Sequence, residues 1–183
     1  MDYTSIYRTP DGFSDLLMRS DGRFLTGLHF IGSRNVAETL CGNGARDLPV
    51  FLETGRWLDA YFSGCQPDFL PPFKLLGLTP FRKAVIDALL KIPFGETVSY
   101  GDIAAVIGRR RDAGGLTARA VGGAVGWNPL CILIPCHRVI GANRSLTGYG
   151  GGMGNKIALL AHEGHDLSAF KETARLHVSR RQF

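Results

Sequence analysis

The first thirty residues contain short runs with apolar positions, and two tight-turn signals divide them. These runs predict strands over Tyr3–Arg8, Phe13–Arg19 and Arg23–Phe30. Asp11-Gly12 and Asp21-Gly22 stand between these runs, and glycine supplies the positive φ that hairpin turns need. We therefore expect a small antiparallel sheet at the start of the chain.

The next segment changes to helical spacing. Apolar residues of Val50–Phe62 recur at helical intervals, which predicts a helix lying on one face of the sheet. The stretch from Gly64 to Pro72 is rich in turn residues and predicts a connector. Residues 1–78 are thus predicted to form a small α/β N-terminal domain, an antiparallel sheet plus a helix.

Helical spacing continues beyond the connector. Thr79 is a predicted N-cap with Pro80 in the first turn, and that helix should end before Pro93. Three further helices follow from the same signals. They are Tyr100–Ile107, capped by Ser99 and ended by Gly108; Ala118–Val125, capped by Thr117 and ended by Gly126; and Lys156–Glu163.

Two short helices joined by a turn are typical of a helix-turn-helix. Residues 79–183 are therefore predicted to be an all-α C-terminal domain, and the whole chain to have an α+β fold. The tail, Ser168–Phe183, is basic and could be helix or coil.

The charge is distributed unevenly between these two predicted domains. The chain has a net charge of +5, but residues 1–78 hold 7 Lys and Arg against 9 Asp and Glu, whereas residues 79–183 hold 14 against 7. A basic second half favours a polyanionic partner such as nucleic acid.

Several classes of protein are excluded or disfavoured. No apolar run approaches the roughly 20 residues of a membrane span, and the N-terminus lacks the basic and apolar regions of a signal peptide. We therefore expect no membrane association and a reducing, cytoplasmic location. The four cysteines, Cys41, Cys65, Cys131 and Cys136, form no Cys-x-x-Cys pair, and we predict no metal site and no cofactor.

The densest chemical signal is the run Pro135-Cys136-His137-Arg138, which follows an apolar segment. A thiol is a weak nucleophile until it ionises, and a neighbouring imidazole can accept its proton directly or through water. An isolated Cys-His pair is more often a buried cysteine beside a structural histidine. The pair alone therefore leaves both interpretations open.

The surrounding segments resemble the O6-alkylguanine-DNA alkyltransferases, which repair DNA by direct reversal. The resemblance extends from about Pro80 to Gly164 and includes the Pro-Cys-His-Arg run. The other matching segments are Ile92–Tyr100, Ala118–Ala124, Asn128-Pro129, Ser145–Tyr149 with Gly151-Gly152, and Leu159–Gly164.

The resemblance implies an irreversible, stoichiometric transfer of the alkyl group from O6-alkylguanine to Cys136, so that each molecule acts once. It makes His137 the base that activates Cys136 through a water, and Glu163 the residue that orients His137. It gives Tyr100 the role of proton donor to the leaving guanine. Asn128 would brace the turn that holds Cys136.

The resemblance also implies how the substrate is held. Tyr149 and the backbone of Cys136, Val139 and Gly150 would line the guanine pocket. The partner is double-stranded DNA containing O6-alkylguanine, approached through the minor groove, and we expect a monomeric protein. The implied recognition helix offers Arg119 to fill the space of the extruded nucleotide. Its DNA-facing neighbours are Thr117, Ala118, Ala120 and Gly122.

One segment departs from the family pattern. Ten residues, Arg109–Ala118, separate the predicted end of one helix from Arg119, where the family usually has about five including a proline. Our hypothesis is that Arg109, Arg110 and Arg111 add phosphate contacts. The alternative is a solvated loop.

Three other functions remain open. A non-catalytic protein could bind alkylguanine-DNA and signal damage, although relatives of that kind lack the cysteine. A helix-turn-helix regulator could use Cys136 as an alkylation sensor, although no sensor domain is evident. A cysteine hydrolase would need an oxyanion hole that the sequence does not reveal.

Overall fold

The N-terminal half is a four-stranded sheet covered by one helix. The computed structural model of this chain describes residues 2–33, 43–44, 47–111 and 116–172. The sheet has the order β3-β2-β1-β4; β1 pairs antiparallel with β2, β2 antiparallel with β3, and β4 parallel with β1. The strands are β1 (Tyr3–Tyr7), β2 (Leu16–Ser20), β3 (Leu25–Phe30) and β4 (Asn43–Gly44).

The turns of the sheet follow the prediction, but one strand begins later. Gly12 and Gly22 have φ values of 96° and 105°, the backbone geometry that only glycine adopts easily. β2 begins at Leu16 and not at Phe13. The reason is Asp15, whose carboxylate accepts hydrogen bonds from the Thr9 backbone N–H and from Arg8 and so holds the chain in a turn.

Helix α1 (Pro49–Phe62) covers the sheet, as its apolar spacing predicts. The side chains on its buried face include Phe51, Trp57, Leu58 and Tyr61. Tyr61 is almost fully buried and lies in the last turn of the helix, where the N-terminal half meets the rest of the chain.

The predicted helix caps are present in the second half. Thr79 and Thr117 each accept a hydrogen bond from a backbone N–H three residues on, at 3.2 Å. Ser99 and Asp102 form a reciprocal pair, because each side chain accepts from the backbone N–H of the other. The helices are α2 (Pro80–Leu89), α3 (Tyr100–Arg111), α4 (Ala118–Gly126) and α5 (Met153–His162).

Helix α3 corrects the predicted helix end at Gly108. A glycine ends a helix when it adopts positive φ, and Gly108 is not among the glycines that do. The helix instead continues through Arg109–Arg111, and arginine is a good helix former. The basic part of the long segment before Arg119 therefore extends a helix and is not part of a turn.

The second half is also not all-α. Two pairs of two-residue parallel strands join its loops: β5 (Val98–Ser99) with β6 (Val139–Ile140), and β7 (Ser145–Leu146) with β8 (Lys171–Glu172). Segments this short carry no readable alternation. Helix α5 begins at Met153, three residues before the prediction, directly after Gly152 with its φ of 89°.

The two halves share one apolar core. The backbone of Leu28 in β3 pairs with the loop before Cys136: its N–H donates to Pro129 O at 2.8 Å, and its carbonyl accepts from Cys131 N at 2.9 Å. Leu28 and Leu130 are fully buried in a cluster that includes residues of α1, α2, α3 and α4. The sheet thus directly supports the loop that carries the cysteine. Among the described residues, no helix is long and apolar enough to cross a membrane.

The shared core leads to a stability prediction. Leu28→Ala should lower the free energy of unfolding by about 2–5 kcal/mol, because it empties a fully buried site at the junction. Leu52→Ala, on the exposed side of α1, should change it by no more than about 0.5 kcal/mol. Urea denaturation followed by circular dichroism measures both. Equal effects of the two substitutions would contradict a core at this junction.

Candidate active site

Asn128 holds together the loop that presents the cysteine. Its side-chain N–H donates to Ile134 O at 2.8 Å and to Cys136 Sγ at 2.9 Å, and its Oδ1 accepts from Leu130 N at 3.0 Å. Within the loop, Ile132 has a φ of 69°, which is rare for a β-branched residue. A buried amide that bridges both ends of the loop stabilises this otherwise unfavourable backbone.

The surroundings of Cys136 favour its thiolate. The neighbouring Cys131 thiol as a donor, the Asn128 amide and the positive charge of Lys156 together lower the pKa of Cys136, although burial opposes them. Lys156 is fully buried, and its Nζ donates to Val139 O at 2.7 Å and to Thr147 O at 3.0 Å. Burial lowers the pKa of Lys156 to about 8, and the nearby Cys136 thiolate partly offsets that effect. The buried cysteine is thus a potential nucleophile.

Glu163 is a buried carboxylate surrounded by donors. His137 Nε2 lies 2.8 Å from its Oε1, and Arg138 Nε lies 2.9 Å from its Oε2. Tyr61 Oη lies 2.8 Å from Oε1, and the Gly95 backbone N–H lies 3.2 Å from Oε2. Burial alone would raise the pKa of Glu163, but the hydrogen bonds and charges of His137 and Arg138 hold it at about 2. Glu163 is therefore ionised at neutral pH.

The ionised Glu163 determines the tautomer of His137. A carboxylate only accepts hydrogen bonds, so His137 Nε2 carries the hydrogen. Burial lowers the pKa of His137, which favours the neutral imidazole. The neutral ring then has its lone pair on Nδ1, a buried atom with no hydrogen-bond partner among the described residues. The arrangement supplies a base next to the nucleophile in the chain.

A cleft of about 590 Å³ opens above Cys136. It lies between α3, α4 and the loop that follows β7, within the common size range of about 300–1,000 Å³ for small-molecule pockets. The predicted site residues that line it are Tyr100, Ala118, Arg119, Gly122, Asn128, Cys136, Tyr149 and Gly150.

Two tyrosines of the cleft pack closely against glycines. A Cβ on Gly122 would lie 3.8 Å from Tyr100 Cε1, so the tyrosine ring packs directly against α4. A Cβ on Gly151 would lie 2.5 Å from Tyr149 Cε1 and 2.8 Å from Phe30 Cδ2, so only glycine fits there. Burial raises the pKa of Tyr100, which keeps its hydroxyl protonated and able to donate.

The sequence comparisons agree with this geometry. The family profile for "6-O-methylguanine DNA methyltransferase, DNA binding domain" matches residues 80–165. A methylated-DNA–protein-cysteine methyltransferase of Mycobacterium leprae is 43% identical over 155 residues, covering 83% of this chain and 87% of the relative. The chain belongs to this methyltransferase family.

Solved structures of the family extend the comparison to three dimensions. The Mycobacterium tuberculosis O6-methylguanine methyltransferase has a TM-score of 0.74 and 40% identity, covering 89% of this chain and 93% of that one. The same organism's protein in complex with DNA has a TM-score of 0.72 and 40% identity, covering 92% and 94%. Both likenesses include the N-terminal half, where the sequence motifs are sparse.

Some of the predicted methyltransferase site residues lie away from the cleft. Val139 is not among the lining residues; it is fully buried, and its carbonyl accepts from Lys156. Thr117 and Ala120 are exposed at the start of α4, where Thr117 serves as the cap. Arg109 is exposed near the end of α3. The side chains of Arg110 and Arg111 lie outside the described residues, as does Cys41.

Three buried polar residues around the candidate site were not predicted from the sequence. Arg138 lies in the motif and pairs with Glu163, so its position beside two chemical residues was an available signal. No such signal marks Tyr61 or Lys156 in the sequence, because each looks like an ordinary member of an amphipathic helix. Their roles depend on long-range contacts, across 102 residues for Tyr61 and Glu163.

The ionised Glu163 predicts a pH-dependent stability. Its pKa is lowered from an ordinary 4.5 to about 2 by folding, so its contribution is full above about pH 5 and is lost as the pH falls toward 2. Glu163→Gln should therefore cost about 3 kcal/mol near neutral pH, and the difference should narrow in acid. Urea titrations at several pH values measure the difference. Glu96→Gln, an exposed control, should cost no more than about 0.5 kcal/mol at neutral pH.

The hydrogen bond from Asn128 predicts the reactivity of the thiol. Asn128→Ala should raise the pKa of Cys136 and slow its alkylation by iodoacetamide near neutral pH, because the thiolate loses a donor at 2.9 Å. The pH dependence of alkylation, followed by mass spectrometry of the Cys136 peptide, provides the measurement. Asn155→Ala is the matched control, since that amide donates to Gly151 O and not to the thiol. An unaltered profile in Asn128→Ala would rule out the stabilisation.

Proposed function

We propose that this protein repairs DNA by taking the alkyl group of O6-alkylguanine onto Cys136 Sγ. The observation that carries the proposal is a buried thiol with a lowered pKa at the floor of an open cleft, next to a neutral histidine whose tautomer Glu163 sets. The names of the relatives support the same chemistry, since they are methylated-DNA–protein-cysteine methyltransferases.

The transfer divides into two proton movements and one displacement. The Cys136 thiol gives its proton to His137 Nδ1 through a water, and the thiolate attacks the alkyl carbon. A sulfur–carbon bond forms, and the electron pair of the breaking carbon–oxygen bond returns to guanine. Tyr100 passes its hydroxyl proton to a ring nitrogen of the leaving base. Because the product is a thioether with no easy chemical exit, each molecule acts once.

The DNA is contacted by α4, the helix that contains Arg119. Alkylated O6 lies inside the duplex stack, so the nucleotide must be extruded into the cleft. Arg119 is exposed at the mouth of the cleft, next to Ala118, and would fill the vacated space from the minor groove. The small residues of α4 allow a close approach of its backbone, and Arg109–Arg111, at the end of α3, are proposed to contact phosphates. The protein acts as a monomer on double-stranded DNA, in the cytoplasm.

One experiment tests the transfer directly. The protein is incubated with a duplex that contains a single O6-methylguanine, and its intact mass and peptides are measured. We expect one added methyl group per molecule, on the peptide with Cys136, and none in Cys136→Ala. Cys65→Ala is the matched control and should accept the methyl group as the unaltered protein does, because Cys65 is exposed and does not line the cleft.

A DNA-binding measurement made beside this mass experiment separates the alternatives. Tight binding of the methylated duplex without a change in mass would favour a damage-binding protein. Methyl transfer followed by sequence-specific binding to promoter DNA would favour a regulator. A methyl group on a different cysteine would overturn the assignment of Cys136.

A further inference from the structure

The N-terminal half contributes one polar atom to the site, the hydroxyl of Tyr61. This residue lies on α1, and its Oη is 2.8 Å from Glu163 Oε1. Oε1 is the same oxygen that receives the hydrogen bond of His137 Nε2. Since the carboxylate can only accept, Tyr61 must be the donor. Burial and the adjacent Glu163 carboxylate raise the pKa of Tyr61, so the donor keeps its proton.

Tyr61 is held rigidly enough to act as a support. Its ring stacks on Trp57, with centroids 5.6 Å apart and planes 7° apart, and Phe94 packs edge-on at 5.8 Å. Its backbone carbonyl accepts a hydrogen bond from His162 Nε2 at 2.9 Å, which connects α1 to the end of α5. Glu163 directly follows α5. The hydroxyl therefore has a fixed position relative to the carboxylate.

We propose that Tyr61 is a positioning residue of the transfer reaction, which acts through Glu163 to hold His137 as the neutral, correctly oriented base. Its effect on the transfer rate rests on the proposed function, whereas its effect on His137 does not. The N-terminal half is then part of the reaction machinery and not only a support for the loop.

The charges around Glu163 and His137 determine the direction in which the pKa of His137 should shift when the Tyr61 hydroxyl is removed. Tyr61 on α1, Arg138 beside His137, and His165 beyond α5 all act on Glu163, while Arg138 and Lys156 also act on His137. Removing the Tyr61 hydroxyl leaves more of the Glu163 charge to stabilise a protonated His137. The imidazole then becomes protonated at higher pH, where it no longer serves as a base.

Tyr61→Phe tests the proposal, with Tyr7→Phe as the matched control. Tyr7 also donates to a carboxylate of α1, Asp59 Oδ1 at 2.7 Å, but that pair is not connected to Glu163. In Tyr61→Phe the methyl-transfer rate near neutral pH should fall roughly ten- to hundredfold, the scale of one hydrogen bond to a charged group. The acid limb of the rate profile should move to higher pH. Tyr7→Phe should change neither.

A measurement on His137 itself separates this proposal from the proposed function. In ¹⁵N-histidine NMR without DNA, Tyr61→Phe should titrate His137 at higher pH than the unaltered protein and Tyr7→Phe do. An unmoved His137 titration, or an equal shift in Tyr7→Phe, would overturn the role of Tyr61. A protein that fails to transfer methyl groups would overturn the proposed function alone, because the NMR result would still stand.

A double-mutant cycle tests whether Tyr61 acts through the carboxylate. The loss of rate caused by Tyr61→Phe should shrink in a Glu163→Gln background, where the neutral amide is a weaker acceptor. Additive losses would mean that Tyr61 affects the rate by another route and would contradict the proposal. Urea denaturation of each variant confirms that the compared proteins are folded.

Discussion

The candidate site depends on one buried negative charge, the carboxylate of Glu163. An ionised carboxylate in an apolar interior is costly unless hydrogen bonds and opposite charges surround it. Here the donors come from three parts of the chain: Tyr61 on α1, the Gly95 backbone, and the His137–Arg138 turn. Folding must bring all three together before the charge is satisfied, so the site and the fold specify each other.

The Glu163 charge connects the two halves of the chain electrostatically, and the apolar core connects them by packing. Arg138 spans the junction, because it binds Glu163 and Ile92 O in the second half, the latter at 2.6 Å, and donates to Gln66 Oε1 in the first half at 3.4 Å. The sheet meanwhile supports the cysteine loop through the backbone of Leu28. The N-terminal half consequently contacts both parts of the site, the cysteine loop through the Leu28 backbone and the base through Tyr61 and Glu163. A shift between the halves would disturb both.

The parts predicted from sequence are those with local signals. The Asp-Gly turns, the three caps and the helical faces depend on neighbours a few residues apart, and the structure contains each of them. The prediction that a helix ends at Gly108 was wrong, because a glycine ends a helix only when its backbone adopts a particular conformation, which the sequence does not reveal. The two-residue strand pairs were missed because their pairing partners are distant in sequence and their alternation is too short to detect.

The residues of the candidate site likewise divide into those that the sequence marks and those that it does not. Cys136 and His137 are adjacent in sequence, and Tyr100, Asn128 and Glu163 follow from resemblance to a known family. Tyr61 and Lys156 could not be found by either route, since a tyrosine or a lysine on an amphipathic helix is common and becomes informative only when its buried polar atom has a partner. In Lys156 that partner is backbone, which fixes the loop above the thiol. In Tyr61 it is the Glu163 carboxylate, so a residue that looks like core packing reaches the chemistry through a single oxygen atom.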